Sequence, residues 1–190
     1  GAVRDEILGI PSLDMDFCYE GNALDFARKK GLEIIKINSE FGTIKILYEG
    51  KEFDIASTRE EIYPKAGHLP KVTNIGCSLQ DDLKRRDFTI NAIAKNTLTG
   101  KLYDPYGGQN DIQNKRLRVL HKKSFIDDPT RIIRGLKFSV RLGFELDFET
   151  KSLQDEYLKN INYDMGYHRI KKELKETFMW NKGKAFDRFG

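Results

Sequence analysis

The stretch GTIKILYEGKEFDIAST, residues 42–58, constrains the fold more than any other. Apolar and polar residues alternate on both sides of Glu49-Gly50, the pattern of two strands joined by a two-residue turn. Such a turn sets the register. It pairs Ile46 with Phe53 and Ile44 with Ile55, one apolar face, and turns Asp54 to the other. Further elements surround this hairpin. AVRDEILG reads as a short helix closed by Gly9, LDMDFCY as a strand, NALDFARKKG as a helix and LEIIKI as a strand. The run from Arg59 to Gln80 holds two prolines and little periodicity, and reads as a mobile loop of the length usually kept for function. DDLKRRDFTINAIAKN predicts a helix with Asp81 and Asp82 in its first turn, and DPYGGQNDIQNKRLRVL a turn leading into a strand. From Ser124 onward three helical segments follow. The expected fold class is α+β, with residues 1–120 mixing strands and helices and residues 121–190 all helical.

Composition agrees with a folded, heavily charged chain. Of 190 residues, 39% are hydrophobic and 33% charged, and the net charge of +4 permits an acidic partner without demonstrating one. Cys18 and Cys77 stand far apart, which argues against a disulfide framework or a cysteine zinc site and suits a reducing cytoplasm. His68, His121 and His168 show no ligand spacing. No apolar stretch approaches the roughly 20 residues that span a membrane. The opening GAVRDEILG starts in mid-pattern and KAFDRFG ends without a stop signal, so the chain reads as a piece of a longer protein.

Three constellations can carry chemistry. The first is SLDMDF, residues 12–17. On a strand Asp14 and Asp16 point to one side, about 7 Å apart. Two such carboxylates are either solvated at an exposed edge or bridged by a divalent metal. With Asp54 as a third acid on the hairpin, the set resembles a phosphoryl-transfer site for Mg²⁺, which takes carboxylate and phosphate oxygens. The second is DDPTRIIRGLKFSVR. At 100° per residue from Asp128, Ile132, Ile133, Leu136 and Val140 fall between about 40° and 140°. Arg131, Arg134, Lys137 and Arg141 fall between about 180° and 300°, with Phe138 breaking the split. One side is expected to pack and the other to present cations, which repel unless something anionic lies there. Pro129 suits the first turn. The third is RRDFTINAIA. There Arg86 can fork onto a phosphate and Asn91 can bond a ribose hydroxyl.

Taken in order, GAVRD, LG-IPSLDMDF, FGTIKI, FDIASTR, DLKRRDFTINAIA, DPYGG--DI--K-LR and SFIDDPTRIIRGLKFSVRLGF resemble the class II tRNA nucleotidyltransferase and bacterial poly(A) polymerase family. The resemblance runs from residue 1 to about Phe148, with a looser echo at HRIKKEL. It implies a DNA polymerase beta-type nucleotidyltransferase head with a mixed or antiparallel sheet, over residues 1–120, followed by an all-helical neck. It implies transfer of CMP and AMP from CTP and ATP to the tRNA 3′ end, with Mg²⁺ as cofactor and release of pyrophosphate. By the same resemblance Asp14 and Asp16 hold the metal, and Gly1 and Arg4 lie at the triphosphate. Arg86 and Asn91 belong to a second nucleotide motif. Asp128 and Arg131 read the Watson–Crick edge of the incoming base, and Arg134 is a further nucleotide contact.

The chain departs from the family in places. Only one glycine opens the first motif and the strand before it is missing. Asp127 stands where the family has glutamate, and Lys137 where it often has arginine. YPKAGHLPKV resembles the A-adding members more than the CCA-adding ones. Poly(A) polymerase, and a non-catalytic nucleotide- or RNA-binding domain that kept the fold, stand as alternatives.

Overall fold

The structure, a computed structural model, describes residues 1–11, 16–161 and 167–180. Its contacts divide the chain into two compact units. The first comprises Gly1–Ile62, Pro70–Arg86 and Ala94–Tyr103; the second comprises Tyr63–Leu69, Asp87–Ile93 and the chain from Asp104 onward.

The first unit opens with α1 (Ala2–Ile7), β1 (Asp16–Tyr19) and α2 (Ala23–Lys29). The Asn22 side chain caps α2 by accepting from the N–H groups of Leu24 and Asp25. Strands β2 (Glu33–Asn38), β3 (Thr43–Tyr48) and β4 (Lys51–Ser57) complete a sheet of order β1-β4-β3-β2, with β1 parallel to β4 and the other pairs antiparallel. The hairpin has the expected register: Ile46 faces Phe53 and Ile44 faces Ile55. Glu49 and Gly50 turn at φ of 49° and 74°, the positive values of a tight hairpin turn. Ile44, Ile46 and Ile55 bury one face of the sheet against Ala23 and Ala27 of α2. Asp16, Lys45 and Asp54 lie on the opposite face.

Residues 59–80 correct the loop expectation. They form β5 (Arg59–Ile62) and β6 (Lys71–Ile75), paired antiparallel with one bulge. Pro64 and Pro70 both fall in the connection, where no ladder donor is lost. The next helix is also shorter than expected. α3 (Leu79–Lys84) is capped by Ser78 and stops at Arg85. The unit ends with the small hairpin β7 (Ala94–Lys95) and β8 (Leu102–Tyr103).

The second unit explains why that helix stops. Phe88 is extended and bridges Val119, while the Thr89 N–H donates to the Arg118 carbonyl. Residues 89–91 then make a single 3-10 turn. Where only a turn is expected, α4 (Gly108–Gln113) forms, its first N–H groups held by the Asp104 carboxylate. β9 (Arg116–Leu117) follows, then α5 (Ser124–Asp127), α6 (Thr130–Leu142), β10 (Glu145–Leu146), α7 (Phe148–Lys159) and α8 (Tyr167–Trp180). Among the described residues from 121 onward the regular elements are helices except for β10, which pairs with β9. Among the described residues no helix is long and apolar enough to cross a membrane.

The face that α6 buries differs from the expected one. Arg131, Gly135, Phe138 and Ser139 are buried; of the expected face Val140 is buried too, whereas Ile132, Ile133 and Leu136 are only half-buried. The physical cause is Phe88. Its ring meets Phe138 edge-on with centroids 5.9 Å apart, and a methyl group on Gly135 would come within 3.0 Å of it. Phe138, the residue that broke the periodic split, marks the face that packs.

Candidate active site

Asp16 begins β1 and lies in register with Asp54 of β4. Register partners on neighbouring strands share a face, with the strands about 4.8 Å apart. Both residues are exposed. Asp54 does not stand alone: Lys45 Nζ lies 3.3 Å from its Oδ2 and 3.1 Å from Glu52 Oε2. Gly1 adjoins the pair, since a side-chain carbon there would lie 3.7 Å from Asp16 Oδ2. Asp14 lies outside the described residues, and among those described no group of three acids, histidines or cysteines is arranged to hold a metal.

The two arginines expected at phosphates lie in internal networks of this first unit. Arg4 is buried, and its Nη2 and Nε lie 2.7 and 2.9 Å from Asp5 Oδ1. Arg86 Nη2 lies 3.0 Å from Asp82 Oδ2. Asp82 is fully buried and gathers Arg85 and the Arg59 N–H on its other oxygen. Burial by itself raises the Asp82 pKa, but the Arg86 and Arg85 guanidinium groups outweigh it and hold the carboxyl below its ordinary range.

The second unit gathers Asn91 and Arg134 around Asp87. Arg134 donates from Nε and Nη2 to Asp87 Oδ2 at 2.8 and 2.6 Å. Asn91 Nδ2 and the Phe88 N–H reach Oδ1 at 2.9 and 2.7 Å. Burial raises the Asp87 pKa, yet Arg134, Asn91 and Phe88 overcome it and leave the carboxyl at about 2. The repulsion expected among the α6 cations is answered by the protein's own acids. Glu173 of α8 takes Arg134 at 3.2 Å and Lys137 at 2.6 Å, and Glu176 takes Lys137 at 2.8 Å.

Asp128 sits in extended backbone before α6, not on the helix, and its carbonyl accepts the Arg131 N–H. Its Oδ1 accepts from the Thr130 N–H and hydroxyl, and its Oδ2 from Arg169 at 2.5 Å. Arg131 donates to Ser124 Oγ at 2.6 Å, and its guanidinium lies 5.9 Å from the centroid of the Tyr63 ring. Both residues are buried.

A protein-family model described as the poly A polymerase head domain matches residues 1–118. The chain belongs to the poly(A) polymerase head domain family. It is 36% identical to an A-adding tRNA nucleotidyltransferase of Aquifex aeolicus over 95% of its length, and 37% identical to one of Halalkalibacterium halodurans over 92%. It spans 26% and 43% of those relatives. Among solved structures it resembles a CCA-adding enzyme in its apo form, with a TM-score of 0.83 at 35% identity over 99% of this chain and 46% of that one. It also resembles a tRNA nucleotidyltransferase complexed with a primer tRNA and an incoming ATP analogue, with a TM-score of 0.82 at 33% identity over 100% of this chain and 54% of that one.

In this member of the family the expected residues fall into groups. Asp16, Asp54 and Gly1 are neighbours on the first unit, and Arg4 and Arg86 are tied elsewhere within it. Asn91 and Arg134 share Asp87, and Asp128 and Arg131 share the turn into α6. Sequence reasoning gave no role to Asp87, Arg169 or Glu173. Asp87 carried a signal in its spacing of four from Asn91, and Arg169 and Glu173 in their own spacing of four within HRIKKEL.

Proposed function

We propose that this chain is the nucleotide-transferring part of an enzyme that adds nucleotides from CTP or ATP to the 3′ end of tRNA. The observation that carries the reading is the register of Asp16 with Asp54. It sets two exposed carboxylates side by side on one face of the sheet, open to a cation from solvent. Their oxygens suit a hard divalent ion, and we assign Mg²⁺ to Asp14 and Asp16 with Asp54 beside them. When bound, such a metal activates the attacking hydroxyl and steadies the pyrophosphate that leaves.

The chain's own groups do the rest. Asp128 and Arg131 select the base: a carboxylate accepts from the exocyclic amino group of cytosine or adenine, and a guanidinium donates to the ring nitrogen. Uracil and guanine set a carbonyl against the carboxylate, so polar groups go unpaired. Gly1 and Arg4 serve the triphosphate, Arg86 belongs to a second nucleotide motif with Asn91 on the sugar side, and Arg134 is a further nucleotide contact. The A-adding relatives support AMP as the nucleotide transferred. Residues 1–120 act as the catalytic head, residues 121–190 begin a helical neck, and a tRNA substrate implies work in the cytoplasm. The family's description also favours a second reading, poly(A) addition.

The test is pyrophosphate release with Mg²⁺, using tRNAs that lack one or more terminal nucleotides and an unrelated RNA. Asp16→Ala is expected to abolish release while the fold survives, since metal stabilisation contributes several kcal/mol and each 1.36 kcal/mol is about tenfold in rate. Near-normal turnover by Asp16→Ala overturns the metal reading, and equal extension of the unrelated RNA favours poly(A) addition.

A further inference from the structure

A cation stands beside the proposed metal site with no role assigned to it. Across the sheet Lys36, Lys45, Asp54 and Asp16 are successive register partners on β2, β3, β4 and β1. Lys45 faces Asp54 directly and Glu52 diagonally, and its ammonium reaches both, at 3.3 and 3.1 Å. Glu52 and Asp54 are two residues apart on β4 and so share the face. The lysine therefore already holds a second acceptor, outside the Asp16–Asp54 pair.

An ammonium and a divalent ion cannot both sit against Asp54 without repelling each other. We propose that Lys45 is a positioning residue: it neutralises and fixes Asp54 until the metal arrives, and then moves wholly onto Glu52. The inference rests on the metal reading above. Its physics is that of a weak, solvated pair. Exposed ion pairs contribute little, and a lysine on its flexible four-carbon stem gives up one acceptor readily while keeping the other. In the metal-free state the lysine also relieves the repulsion between two carboxylates on adjacent strands. Glu52 supplies the place to which it withdraws.

The experiment is direct Mn²⁺ binding to the 190-residue protein without nucleotide, read from the free-ion signal in electron paramagnetic resonance. Removing a unit charge about 6 Å from a divalent ion changes affinity by about tenfold in a solvated site. Lys45→Met is expected to bind Mn²⁺ about tenfold more tightly. Glu52→Gln is expected to bind it more weakly, because the lysine then has only Asp54. The double variant decides between withdrawal and a general field. If Glu52 acts through Lys45, adding Glu52→Gln to Lys45→Met changes nothing further. If it weakens binding as much there as in the unmodified protein, the acids act only through their field and the proposal is overturned. Unchanged affinity in Lys45→Met overturns it as well. Asp16→Asn separates the two levels. Loss of Mn²⁺ binding in that variant upholds the metal site on which the lysine acts. Unchanged binding overturns the metal reading itself, and the role of Lys45 with it.

Discussion

Asp87 shows how one residue can organise several others. It is buried, accepts two bonds from Arg134, and also holds Asn91 and its neighbour's N–H. Its carboxyl titrates at about 2 against an ordinary value of 3.8. A depressed acid contributes stability that is complete above its ordinary pKa and is lost as the pH falls through the folded value. Asp87 is thus expected to contribute about 2 kcal/mol at neutral pH that fades between about pH 4 and pH 2. Denaturant unfolding across pH 2–6 should show a smaller acid loss in Asp87→Asn than in the unmodified protein. Parallel curves would mean that other carboxylates dominate the acid response. The sequence made Arg134 and Asn91 visible as candidates, but their common partner lies four residues from one and 47 from the other. Only the folded chain shows that they form one group.

At the scale of elements, close approach decides as much as propensity. The N-terminus of α4 is pressed against the 3-10 turn at residues 89–91. A methyl group on Gly108 would lie 2.3 Å from the Thr89 carbonyl oxygen and 2.8 Å from Ile93 Cγ1. Neither backbone can yield cheaply, because Thr89 also donates its N–H to Arg118 and its hydroxyl to Asp111. Gly108→Ala is expected to cost about 3 kcal/mol, at the upper end of overpacking. Thermal unfolding reads this directly, and a loss below 1 kcal/mol, judged against that overpacking range, would show that the two turns are not locked together. The β3–β4 hairpin was legible because its alternation and turn are local. The β5–β6 pairing was not, because a short strand opposite a distant short strand leaves little periodicity in either. Likewise, α6 was legible as a helix but not in its buried face. Charge pattern predicts the face toward water, whereas Phe88, Gly135 and Phe138 set the face that packs.

The whole molecule offers a test that does not require catalysis. A ligand that binds only the folded state stabilises it by about 2.7 kcal/mol at a hundred times its dissociation constant. With Mg²⁺ present, ATP or CTP is expected to raise the melting temperature, and UTP or GTP at equal concentration to raise it far less. Equal shifts with all four would mean that the protein senses only the triphosphate, and that Asp128 and Arg131 do not select the base. The sequence by itself determined the α+β class, the central hairpin and its register, the helices from Ser124 onward, and the acids and arginines worth examining. These follow from patterns repeated within a few residues, where the chain's own geometry is enough. The tertiary structure alone decided which charges meet. Asp16 stands beside Asp54, Asp87 gathers Arg134 and Asn91, and Arg169 and Glu173 answer Asp128 and Arg134. Apart from Asn91, four residues from Asp87, such partners lie tens of residues apart, and a charge's partner depends on which backbone passes nearby, a property of the assembled fold and not of any local pattern.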